Sequence, residues 1–307
     1  MRSYAKKLIS PYAFAVACIF LAAAIWGASF VTQRLAMDHM GALTYNGIRF
    51  ALGAVSLLPA IKTLERKILP AADKKTNRRT WKVGLAGGGI LFIAANLQQF
   101  GIALSNSPSS ASEAGFITGM YTVFVPILGL ALGRKTNVFV WVSAVLAFGG
   151  LALISMGPGG LAAFQATDLL LLLCAVFWAA HILLIDHYVN EIRPLSFAAV
   201  QFAVCAVACL VCALVFEGIR LQGLRDGLWV LLFGGIVASG VAYSLQIIGQ
   251  RRVEPSRAAI IFSLESLFAA VSEAVFLGVL MTPQKYLGGA MIFVGILLSQ
   301  RQKNEKT

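Results

Sequence analysis

Of the 307 residues, 59% are hydrophobic and only 12% are charged, with a mean hydropathy of +0.81; a soluble domain needs a more charged surface, so a water-soluble enzyme or binding module is excluded. The net charge of +12 comes from Lys and Arg crowded into a few connecting stretches, the pattern of the positive-inside rule and not of a phosphate-binding face, so nucleic acid is not expected as a partner. Apolar runs of the ~20 residues that cross a bilayer recur along the chain, which predicts an all-α polytopic membrane protein with the lipid bilayer as its first partner.

Ten transmembrane helices are predicted. The first covers 11–36; Arg2, Lys6 and Lys7 precede it as they would a signal peptide, but the apolar run is too long to be a cleaved segment and is read as a retained span. Its polar residues Trp26, Ser29 and Gln33 fall on one stripe. The second, 42–61, carries Arg49 about two turns in; two readings stand, a side chain that snorkels outward or one that pairs with a carboxylate. A basic loop with Lys62, Arg66, Lys67, Lys74, Lys75, Arg78, Arg79 and Lys82 leads to the third helix, 81–104, with Asn96 and Gln99. The fourth, 112–132, has Thr118 and Tyr121, and the fifth covers 137–156. The sixth, 168–188, has Trp178 and His181; Asp186 and His187 near its end are expected in water.

The seventh, 195–216, places Cys205, Cys209 and Cys212 on one face. A metal there would need thiolates in hydrocarbon without a His or carboxylate to help, so the cysteines read as small packing residues. The eighth, 228–250, has Ser239, Tyr243, Gln246 and Gln250 at i, i+4, i+7 and i+11, a single helical stripe. The ninth, 256–278, holds Glu265 near its middle, with Ser272 and then Glu273 nearer the far end, where less burial is expected. The tenth covers 285–300.

With the N-terminus in the cytoplasm, 20 of the 25 Lys and Arg fall on its side and four on the other, with Arg49 inside a helix; this predicts both termini inside and a bacterial inner-membrane location. No metal or cofactor site and no enzyme signature is expected. The glycine runs Gly87-Gly88-Gly89 and Gly149-Gly150 lie inside apolar helices, where they serve close packing and not phosphate binding.

The two halves repeat. At an offset of 152, Trp26 meets Trp178 and Phe50-Ala51 meets Phe202-Ala203; at 146, Gly88-Gly89-Ile90 meets Gly234-Gly235-Ile236; at 144, Ser112, Ala114, Ile117 and Phe124 meet Ser256, Ala258, Ile261 and Phe268. Five helices per half is an odd number, so the second half (157–307) is predicted to enter the membrane inverted relative to the first (1–156), an architecture that puts a binding cavity between the halves.

AAIWGASFV in the first helix, TYNGIRFALGA in the second, FITGMYTVFVPILGLALGR in the fourth and IIFSLESLFAA in the ninth resemble the EamA family of the drug/metabolite transporter superfamily over nearly the whole chain. That resemblance implies export of small metabolites, amino acids or drugs, and a central cavity lined by helices one, three, four, six, eight and nine. Family members often carry an acid after Leu-Gly at the ends of helices four and nine; Arg134 and Val279 stand there here.

The expected function is a secondary transporter exporting a small-molecule substrate, such as an amino acid, by alternating access. The alternatives are a multidrug/proton antiporter, an uptake permease, or a non-transporting assembly or sensor protein. The candidate cavity residues are Trp26, Ser29, Gln33, Asn96, Gln99, Thr118, Tyr121, Trp178, His181, Tyr243, Gln246 and Glu265. Ser, Thr, Asn and Gln in spans also serve as plain packing devices. For Glu265 three roles stay open: it binds a substrate ammonium, carries protons, or pins the ninth helix. His181 is the second candidate for proton linkage. Monomer and homodimer are both compatible with the sequence.

Overall fold

The computed structural model describes residues 10–65, 74–105, 110–155, 166–278 and 283–299. Among them every regular element is a helix. Eight helices are long and apolar enough to cross a membrane: α1 (Pro11–Ala36), α2 (Ala42–Glu65), α3 (Lys74–Ala103), α4 (Ser110–Ala131), α6 (Ala166–Tyr188), α7 (Pro194–Phe216), α8 (Leu228–Gln250) and α9 (Pro255–Leu277). Two further apolar helices, α5 (Val138–Ser155) and α10 (Pro283–Ser299), are shorter. Large apolar side chains such as Val207, Val211, Leu214 and Phe216 stand exposed on the outer faces, as suits helices surrounded by lipid. The chain is an integral membrane protein.

The basic residues Lys74, Lys75, Arg78, Arg79 and Lys82, expected in a loop, form the first turns of α3 instead. Lys and Arg are good helix formers, and an exposed first turn leaves their charges in water. Thr80 on this extension accepts a hydrogen bond from the Arg193 N–H at 3.1 Å, and Arg79 forms an ion pair with Glu191. Arg66 and Lys67, the two charged tails (Arg2, Lys6, Lys7; Arg301, Lys303, Lys306), Val279, the Lys285 side chain and the 156/157 boundary lie outside the described residues. A short helix, Leu221–Asp226, precedes α8.

α2 packs along α7, α3 along α6 and α7, α1 along α8 and α9, and α5 along α10. Helix ends are tied across these pairs. Pro59 interrupts α2, and the turn that follows, Ile61–Glu65, is wound more widely, with i→i+5 bonding. It delivers Glu65 to the start of α7, where the carboxylate accepts the N–H groups of Leu195 (2.8 Å) and Ser196 (3.2 Å) and the Ser196 hydroxyl. At the opposite end Glu217, just past α7, accepts the N–H groups of Leu43 and Thr44 and the Thr44 hydroxyl, each at 2.8 Å. Each carboxylate satisfies the orphan donors of its partner's first turn, and α2 and α7 run antiparallel.

α4 and α9 are each broken midway. α4 resumes at Tyr121 after a turn at Met120, and α9 resumes at Leu264 after a turn at Ser263. α8 is rewound over Phe233–Val241 into i→i+5 bonding, and the Ser239 hydroxyl donates to the Gly234 carbonyl at 2.7 Å. These three irregular stretches are where the polar residues gather.

Candidate functional site

A cavity lies where α1, α4, α6, α8 and α9 converge, with Arg49 of α2 and Gln98 of α3 completing its wall. It holds about 510 Å³ of atom-free space, part of it continuous with the surroundings.

One wall is aromatic. Trp26 and Trp178 both meet Tyr243, with ring centroids 4.9 and 6.2 Å away, and Phe262 lies 5.3 Å from Trp26. Trp26 is held by its Nε1–H, which donates to the Ala238 carbonyl at 2.9 Å. The widened turn of α8 makes this possible, since the Ala242 N–H goes to the carbonyls of Val237 and Ser239. The other walls are polar. Gln33 donates to the Ser29 hydroxyl at 3.3 Å, while its Oε1 is buried without a partner. Gln98 donates to Thr118 at 3.3 Å. Gln246 leaves its own Oε1 unpartnered. Tyr121 and Glu265 follow directly on the breaks in α4 and α9, and the Tyr121 hydroxyl donates to Glu265 Oε1 at 2.9 Å.

Nine of the twelve expected side chains therefore border the cavity: Trp26, Ser29, Gln33, Thr118, Tyr121, Trp178, Tyr243, Gln246 and Glu265. Three do not. Asn96 donates to the Phe92 carbonyl (2.7 Å) and Cys209 Sγ (3.2 Å) and accepts from Asn46 (3.0 Å), which ties α3 to α2 and α7. Gln99 donates to the Gln33 carbonyl at 3.1 Å, tying α3 to α1. His181 is fully buried behind the aromatic wall, its Nε2 2.8 Å from Gln201 Oε1. On α3 it is Gln98, about 100° around the helix from Gln99, that faces the cavity. Gln250 and Ser239 likewise bond to backbone carbonyls.

Three side chains behave otherwise than expected. Arg49 does not snorkel; it is buried with about 5% exposure and borders the cavity. Its mid-span charge was the available signal, but the stripe pattern could not say which way it faces. Glu273 is not more exposed than Glu265; it is buried at 1% and accepts a bond from Ser112 in the first turn of α4, where the helix N-terminus favours a carboxylate. Asp186 is not free in water: its side chain is 7% exposed and pairs with Arg134.

The α1–α9 seam is close. A Cβ on Gly27 would stand 2.3 Å from Phe268 Cβ and 2.6 Å from the Glu265 carbonyl oxygen, so only glycine fits. A surface groove, open to the surroundings, runs over α3, α4 and α6 beside Ile90, Leu128, Leu132, Ala180 and Leu184, with Arg134 on its rim. Among the described residues no group of three or more His, Cys, Asp or Glu is placed to hold a metal ion.

A bundle of membrane-crossing helices that are broken around an internal polar cavity defines a solute transporter. The chain belongs to the EamA-like transporter family, whose model matches residues 13–156 and again 165–300. It is 30% identical over 280 residues to an uncharacterized transporter of Archaeoglobus fulgidus, covering 91% of this chain and 83% of the relative. It is 27% identical over 276 residues to the threonine/homoserine exporter RhtA of Escherichia coli, covering 87% and 85% respectively. A solved crystal structure aligns with 93% of this chain and 96% of its own, with a TM-score of 0.75 at 16% identity, which establishes a shared fold.

Proposed function

We propose that this transporter exports small metabolites, amino acids or close relatives, across the bacterial inner membrane by alternating access. The observation that carries the reading is the cavity at the breaks of α4 and α9, walled by aromatics, amides and Glu265. Such a surface sets a few polar groups against an aromatic wall, which suits a small polar or amphipathic solute. The similarity to a threonine/homoserine exporter supports amino acids as the class.

In this reading the chain is ten spans in two inverted five-helix repeats, both termini cytoplasmic. Helix pairing supports this. Exchanging each helix for the one five places on turns α1–α9 into α6–α4, α3–α7 into α8–α2 and α3–α6 into α8–α1, all of them packed pairs, and returns α2–α7 and α5–α10 to themselves. The two matches of the family model along the chain support it too.

The test is flux in proteoliposomes of the full chain, preloaded with labelled L-threonine or L-homoserine, with and without a pH gradient, beside reporter fusions at both termini. Efflux above protein-free vesicles is expected. Uptake-only flux, or flux of cationic drugs alone, would replace the exporter with one of its rivals.

A further inference from the structure

We infer that Arg49 is the carboxylate anchor of the cavity and that, with Glu265, it selects a solute carrying both a carboxylate and an ammonium group. This rests on reading the cavity as the solute site.

Arg49 is held in place before any solute arrives. Its Nε donates to Asn46 Oδ1 at 2.9 Å, and Asn46 is locked in turn by bonds from its Nδ2 to the Ala95 carbonyl (3.1 Å) and Asn96 Oδ1 (3.0 Å). The guanidinium carbon sits 4.5 Å from the Phe50 ring centroid and 5.1 Å from that of Tyr45. Two ring faces offset part of the burial of the cation, but they are not a counter-ion. Among the described residues no carboxylate stands within ion-pair distance of Arg49. A guanidinium has five N–H donors in a fixed fork that matches a carboxylate, and a cation removed from water without an anion is strongly disfavoured.

Glu265 presents the converse. It borders the same cavity from α9, takes one neutral bond from Tyr121, and no Lys or Arg among the described residues pairs with it. A guanidinium and a carboxyl group, neither of them ion-paired, thus face one cavity from different helices. A zwitterion gives Arg49 its counter-ion and brings Glu265 an ammonium that favours its carboxylate form. An amine without a carboxylate leaves Arg49 unmatched, and an acid without an amine leaves Glu265 unmatched. The aromatic wall of Trp26, Trp178 and Tyr243 remains for a small side chain.

The experiment measures binding to the purified full chain by thermal shift and by competition. The probes are L-homoserine, the amino alcohol that lacks its carboxylate, and the hydroxy acid that lacks its amine. Wild type is expected to prefer L-homoserine over the amino alcohol by about 10- to 100-fold, and Arg49→Gln to lose that preference to within about twofold. Arg49→Lys, which keeps the cation without the fork, is expected to weaken L-homoserine by about tenfold, and it serves if the glutamine variant does not fold. Equal binding of amino acid and amino alcohol by wild type, an undiminished preference in Arg49→Gln, or binding of none of the three probes would overturn the inference. Failed efflux with the selectivity intact would fault the export reading and leave the anchor standing.

Discussion

Glu65 and Glu217, 152 residues apart, do the same work at opposite ends of one helix pair: each carboxylate caps the first turn of the helix to which the other is attached. The spacing equals that between Trp26 and Trp178, and their hydroxyl partners Ser196 and Thr44 are also 152 apart. Removing either clamp leaves two N–H groups and a hydroxyl without an acceptor. Glu65→Ala and Glu217→Ala are each expected to destabilise the protein by about 2–3 kcal/mol. Because the two ends are far apart, the double variant should lose the sum to within about 0.5 kcal/mol. Thermal unfolding in detergent checks this, and a double variant no worse than either single one would mean the clamps are not independent.

Glu265→Gln keeps the shape of the side chain and the bond from Tyr121 but removes the possibility of negative charge at the broken turn of α9. Transport should fall at least tenfold, in the range of a lost charge-assisted contact, with normal membrane expression. Wild-type flux at every pH would remove Glu265 from the mechanism. Tyr121→Phe should have the smaller effect, since the carboxylate stays.

Gly27 sets the closeness of α1 and α9. Gly27→Ala places a methyl where none fits and should lower stability by about 1–3 kcal/mol while slowing transport, because a seam that cannot shut cannot alternate. Ala179, at the corresponding place on α6, is buried, and Ala179→Gly should still fold and transport. Equal loss in both variants would show that packing alone was measured.

Arg134 and Asp186 join the end of α4 to α6 beside the surface groove. Asp186→Asn should reduce flux several-fold, and exchanging the two residues (Arg134→Asp with Asp186→Arg) should restore most of it, as expected for a partly buried pair. Flux measured in the single and the exchanged variants decides it; if the exchange restores nothing, the contact is incidental.

Much of this molecule was legible before any coordinates. Glu265 stood out as a carboxylate within an apolar run, and the 3.6-residue stripes on α1 and α8 pointed most of their polar members into one cavity. The stripe on α3 misled. Asn96 and Gln99 share a face, but that face meets α1, α2 and α7, and Gln98 reaches the cavity. Periodicity says which residues look the same way, not what they look at. Glu273 failed for a related reason: nearness to a helix end suggests water, yet the first turn of α4 covers it.

Composition and apolar run length determined by themselves that the chain lives in a bilayer, because about 20 apolar residues suit the hydrocarbon core, and the order of paired residues pointed to a repeat. Only the tertiary structure decided the facing of Arg49, the reciprocal clamps of Glu65 and Glu217, and the close approach of α1 to α9 at Gly27. Each depends on the rotation and approach of one helix against another, and those are set by side-chain packing across the interface, to which a helix's own sequence contributes only one side.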